Sequence, residues 1–262
     1  MGKMINFRLN SIAFCSILLI GSFNVCQFAS LGQVIPTVDG KPPTRSGGPR
    51  FIQPAEDIDQ RLLNPAAPTS PLRGGCDIKD QLKLTALSPK NKIARTVSDY
   101  PTFFFYLPKT EAELAEFMLL NESGKEIYKQ TIKISNLSGI IGVSIPANKD
   151  VPRLEIGKSY SWNFTVICNS QDRSGDMMEI GTVRRVELSA DIRSQLEKAD
   201  PREKNFIYAE NGIWQDALSN LVAALRAQPS DAALKADWES LLNSVTLGKI
   251  AKEPIAQIEP KP

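Results

Sequence analysis

The side chains able to do chemistry in this chain are two cysteines, scattered carboxylates and a run of aromatics; none of its 262 residues is a histidine. That absence removes Ser-His-Asp and Cys-His nucleophile pairs, histidine metal sites and imidazole acid–base work. Catalysis by carboxylates, lysine or tyrosine stays open. Of the four cysteines, Cys15 and Cys26 fall in the apolar N-terminus, which leaves Cys76 and Cys168. Two cysteines without histidine cannot form an ordinary zinc site, and the sequence names no metal and no cofactor. In an exported chain the pair reads as one disulfide, the other reading being two buried thiols. The two lie 92 positions apart, so the bridge would be worth about 4–5 kcal/mol by chain entropy. Glu111, Glu113 and Glu116 cluster, yet nothing in their spacing sets a carboxylate pair at glycosidase distance. The loop from Asp172 to Asp176 holds two acids but lacks the oxygen-rich pattern of a calcium loop, and reads as a connection between strands.

The aromatic run occupies residues 100–108 (YPTFFFYLP) between prolines. As a strand it sends Phe103, Phe105 and Leu107 to one face, and Phe104 and Tyr106 to the other. Both faces are apolar, so the rest of the chain must cover both. Short apolar runs at 81–87, 116–120, 126–134, 139–145, 159–168 and 179–188 supply partners, separated by turn residues such as Asn121–Gly124 and Gly157–Lys158. The clearest alternation is 159–168, where Tyr160, Trp162, Phe164, Val166 and Cys168 share a face. About seven strands with regular turns predict an Ig-like antiparallel β-sandwich. Phe103, Phe105 and Trp162 then form its core. Phe104 and Tyr106, as large aromatics on the far face, read as core beneath the C-terminal helices rather than as a ligand-stacking surface.

After residue 188 the apolar period changes to 3.6. Ser189 and Asp200-Pro201 read as helix starts and Asn211-Gly212 as a stop. Gly212, Trp214, Ala217, Leu221, Ala224 and Pro229 fall at the spacing of the second half of a tetratricopeptide repeat. Trp214 is read as a helix-packing residue. One such unit cannot stand alone, so a helical hairpin packed on the sandwich is expected. Residues 1–32 read as a secretory signal: Lys3 and Arg8, then an apolar stretch, then Ala29, Ser30 and Gly32. An uncleaved anchor is the other reading of that stretch. Residues 33–75 carry eight prolines and no apolar periodicity, and read as a disordered linker. The expected organisation is thus signal 1–32, linker 33–75, sandwich 76–188, helices 189–252 and a loose tail 253–262. Without the signal the chain balances at 29 basic against 29 acidic residues. Such neutrality gives no broad attraction to nucleic acid or to a membrane surface.

Together, Leu84-Thr85-Ala86-Leu87, residues 100–108, Glu116-Phe117, Gly124, Gly157 to Trp162, Cys168, Tyr208-Ala209 and Gly212 to Leu218 resemble an exported cyanobacterial family catalogued as domain of unknown function 928. Phe104 stands where that pattern has tryptophan. The resemblance implies a cyanobacterial source and export, and no activity. The function expected is a non-enzymatic binding or scaffolding module of the periplasm or cell envelope. Its partners would be envelope proteins, with no nucleic acid and no stable membrane insertion once the signal is cleaved. The alternative is a carboxylate-dependent hydrolase of envelope glycans.

Overall fold

The computed structural model describes residues 47–54, 76, 82–91, 93–148 and 150–256. The signal and much of the linker expected from the sequence lie outside these. Eight strands come first: β1 (Thr85–Ala86), β2 (Ile93–Thr96), β3 (Thr102–Leu107), β4 (Leu114–Leu120), β5 (Glu126–Lys133), β6 (Gly139–Ser144), β7 (Ser159–Ile167) and β8 (Met177–Arg185). Four helices follow: α1 (Ala190–Lys198), α2 (Pro201–Glu210), α3 (Trp214–Ala227) and α4 (Ala232–Ser244). The strands form two sheets, ordered β1-β3-β6 and β2-β8-β7-β4-β5. The chain is therefore α+β, with two sheets and a helical layer.

The aromatic strand sits in the middle of the smaller sheet and is walled on both sides. Phe103 and Phe105 point at β4 and β7, where the Phe105 ring stacks on Phe164 at 4.2 Å and Phe103 meets Phe117 at 4.9 Å. Trp162 packs edge-on against Phe105, 5.5 Å between centroids. The opposite face carries Phe104 and Tyr106, 5% and 3% exposed, in one cluster with Ile140, Trp214, Leu218 and Leu221. β3 is thus a shared wall between two hydrophobic cores. Each large side chain buried there contributes about 1.5–3 kcal/mol, so the strand ties the helices to the sheets. Gly142 of β6, paired with Phe104, leaves room for that ring: a Cβ there would lie 3.0 Å from it.

Local signals set the element ends. Asn121 Oδ1 accepts the amides of Ser123 and Lys125, and Gly124 takes φ +77°, closing the β4–β5 hairpin. Ser189 accepts the Ile192 amide, Asp200 that of Glu203, and Asp231 those of Ala233 and Leu234, each starting a helix. Pro201 occupies the first turn of α2, and Gly212, at φ +69°, separates α2 from α3.

Three features depart from the sequence expectation. β2, a short mixed run (IART), goes unrecognised in sequence and pairs parallel with β8, so the larger sheet is not wholly antiparallel. Residues 47–54, inside the interval read as a disordered linker, lie packed on α2, α3 and α4. The start of the tail read as loose is fastened to β6. Ile140 N–H donates to Pro254 O at 2.7 Å, and Ala256 N–H donates to Ile140 O at 2.8 Å. The physical reason is the edge of β6, whose outward peptide groups take the first extended segment available.

Candidate functional site

Cys76 and Cys168 place their sulfurs at bonding distance, 1.92 Å, with Cα atoms 4.9 Å apart. The Cys168 amide donates to Asp176 Oδ1 at 3.0 Å. Asp176 also pairs with Arg173, and Asp172 accepts the Ser174 amide at 3.0 Å. The Ser174 hydroxyl and amide hold the Asp172 carboxyl below its usual range. Both acids of this loop are thus engaged in the loop itself. Among the described residues no cluster of three or more metal-ligating side chains occurs.

Several other carboxylates are also tied to structure. Glu116 pairs with Lys129 across β4 and β5 at 2.9 Å, while Glu111 and Glu113 are exposed beside it. Glu122 accepts the Ser159 amide at 3.0 Å and the Lys158 ammonium at 3.3 Å. The Ser159 amide is the main reason its carboxyl titrates low. It is held ionised, which suits a structural clasp and not a general acid. Asp216 differs. It lies in the first turn of α3 and reaches β2, where its Oδ2 accepts the Thr96 hydroxyl at 2.8 Å and the Val97 amide at 3.1 Å. Burial pushes its carboxyl up to about 6, against the pull of those hydrogen bonds. Beside it, burial and then the Asp216 charge raise the Tyr208 phenol. This is a junction between helix and sheet.

Trp214 completes that junction. It is wholly buried, and its indole N–H donates to Leu87 O at 2.8 Å. Its ring also meets Phe51 edge-on, with centroids 5.0 Å apart. Phe51 belongs to the segment 47–54, which runs along α4, over Trp214 and onto the end of α2. The Phe51 amide donates to Ser244 Oγ at 3.1 Å, and the Ile52 amide to Ala209 O at 3.0 Å. Gly48 lies so close to α4 that a Cβ would come within 2.5 Å of Ser240 Cβ. At the other end Pro54 sits on Gly212, where a Cβ would meet it at 2.4 Å. The helices α2, α3 and α4 therefore form a groove that holds an extended chain. Its rim is braced by Arg202, which pairs with the buried Asp237 through two bonds of 2.6 and 3.0 Å. A second, shallow groove lies between α4 and the segment after it. Arg226, Lys235, Glu239 and Lys252 edge it above Trp238.

Of the residues singled out in sequence, Phe104, Tyr106 and Trp214 come together in the helical core, and Phe103, Phe105 and Trp162 in the sheet core. The bonded cysteines sit apart from the groove residues, which form contacts of their own. Sequence reading missed Phe51, Ile52, Ser244 and Asp216 as groove or junction residues. A usable signal was present for the first two: Phe51-Ile52 is an apolar pair flanked by Gly47-Gly48-Pro49 and Pro54.

Two sheets, one of which also carries a helical layer on its outer face, define an α+β protein. The chain belongs to the family described as Domain of Unknown Function (DUF928), which it matches over residues 69–255. No curated protein matches it.

Proposed function

We propose that this protein is a non-enzymatic binding or scaffolding module of the periplasm or cell envelope, acting through protein contacts. One observation carries the reading: the helical layer already holds an extended segment of polypeptide by main-chain hydrogen bonds and an aromatic contact. Extended-chain capture of this kind is a general mode of protein recognition. The proposal includes export from a cyanobacterial cell. It also takes the sheet pair as an Ig-like sandwich and α2–α3 as a tetratricopeptide-like hairpin. Parallel pairing of β2 with β8 is compatible with the first, since one edge strand does not alter how the two sheets face each other. The test is capture of binding partners from envelope extract on the tagged folded protein, with the urea-unfolded tagged chain as the control for non-specific retention. A reproducible protein partner bound only by the native chain is the expected result. Failure to retain any protein, or hydrolysis of purified envelope glycan by the chain, would overturn the reading.

A further inference from the structure

We infer that the groove of α2, α3 and α4 is a peptide-docking site, that residues 47–54 occupy it as a resident strap, and that a partner protein enters by presenting an extended Gly-x-x-aromatic segment in its place. This deepens the binding function proposed above and rests on it.

The strap is held as a ligand is held. Two adjacent amides, those of Phe51 and Ile52, donate to Ser244 Oγ and Ala209 O. One ring, Phe51, lies edge-on to Trp214 and is only partly buried. Arg50 is exposed, and Ile52 is 57% exposed. An apolar side chain held outward is no anchor for the strap. The strap lies on the outside of the helical core: Pro49 is buried and Phe51 packs on that core, while the fully buried members of both cores come from other segments. Leaving the groove therefore opens the helical core only at its Trp214 edge and leaves the sheet core closed. It uncovers a strip with three recognition elements: the Trp214 ring, the Ala209 carbonyl and the Ser244 hydroxyl.

The groove also states what fits it. At the Gly48 position any Cβ would strike Ser240, so glycine is required three residues before the aromatic. The position of Phe51 calls for a ring, because the contact with Trp214 is edge-to-face. Three residues after it, proline lies on Gly212, a glycine that is itself needed for its φ of +69°. Pro49 and Pro54 fix their own φ and so offset part of the ordering cost that the two glycines add. Because the strap is part of the chain, a rival peptide must compete with a local concentration in the millimolar range. The strap thus sets a threshold that only a segment of matching pattern, or one delivered at high local concentration, exceeds.

The experiment uses a fluorescein-labelled peptide of residues 47–54 (GGPRFIQP) and two full-length chains, the native one and a Gly48→Val/Phe51→Ala variant whose strap no longer fits. Fluorescence anisotropy should show the variant binding the peptide at least tenfold more tightly than the native chain. A peptide with its phenylalanine replaced by alanine should bind neither. Circular dichroism of the variant must keep the native helix signal; a variant that loses it is replaced by Ile52→Pro, which removes the amide that donates to Ala209 O and restricts the backbone of Phe51 before it. Equal binding to both chains, or no binding to a folded variant, overturns the inference. Concentration-dependent dimers of the native chain that exchange straps overturn the choice of partner. Envelope capture separates this from the broader proposal. A protein held equally by both chains keeps the binding function and refutes the groove, whereas one held more tightly by the variant supports both.

Discussion

Replacing Asp216 by asparagine should stabilise the protein at neutral pH, although it weakens hydrogen bonds visible in the structure. The carboxyl of Asp216 is pushed from 3.8 to about 6, with burial as the leading cause. The folded chain therefore binds this proton more tightly than the unfolded chain does. Stability from that preference is fully present below pH 3.8 and is lost as the pH rises through about 6. A shift of roughly two units corresponds to at most about 3 kcal/mol, since each unit is worth about 1.4 kcal/mol. Asparagine keeps an oxygen to accept the Thr96 hydroxyl and the Val97 amide, and carries no charge at any pH. The difference in unfolding free energy, variant minus native, should therefore climb by up to about 3 kcal/mol between pH 4 and pH 7. Weaker bonds to the neutral amide lower the whole curve by about 1 kcal/mol without changing its slope. Groups common to both chains, including the low-titrating Glu122 and Asp172, cancel in the difference. Urea unfolding followed by tryptophan fluorescence at half-unit pH steps measures it. A flat difference, or one that falls with rising pH, would refute the account of this junction.

Two further substitutions probe the bridge and the helix–sheet contact. Cys168→Ser should cost about 4–5 kcal/mol by releasing a constraint between residues 92 apart. Urea unfolding of the native chain under dithiothreitol should reproduce that loss, and an unchanged midpoint in both would contradict it. Trp214→Phe should cost about 1–3 kcal/mol, because the Leu87 carbonyl loses its indole donor inside the core. Trp214→Ala should cost about 3–5 kcal/mol; both are read from thermal or urea unfolding.

Much of the architecture was legible because its signals are local. Proline-bounded aromatics alternate across β3, Asn121–Gly124 makes its own turn, and Ser189, Asp200 and Asp231 cap helices by side-chain bonds within three residues. Burial of Phe104 and Tyr106 followed from one argument: an apolar outer face on a strand needs a cover. The illegible parts depend on distant partners. β2 has no amphipathic pattern, since its place is set by β8 and by Asp216, 120 residues away from Thr96. The strap announces itself only by the apolar pair Phe51-Ile52 between glycine and proline, and where it docks is set by the distant surface that α2, α3 and α4 supply. The groove was invisible for the same reason: Ala209, Ser244 and Trp214 meet only after three helices have packed.

β3 is a wall common to two cores, which makes helices and sheets a single cooperative body. Phe104→Ala tests this most directly, since that side chain faces only the helical core. Unfolding of the variant should be followed in urea by circular dichroism at 222 nm for the helices and by hydrogen exchange of β4 and β7 amides for the sheets. The account predicts that both probes shift together, to one lower midpoint, with a loss of about 3–5 kcal/mol. Helices that melt at lower urea while the sheet amides keep their native protection would contradict it.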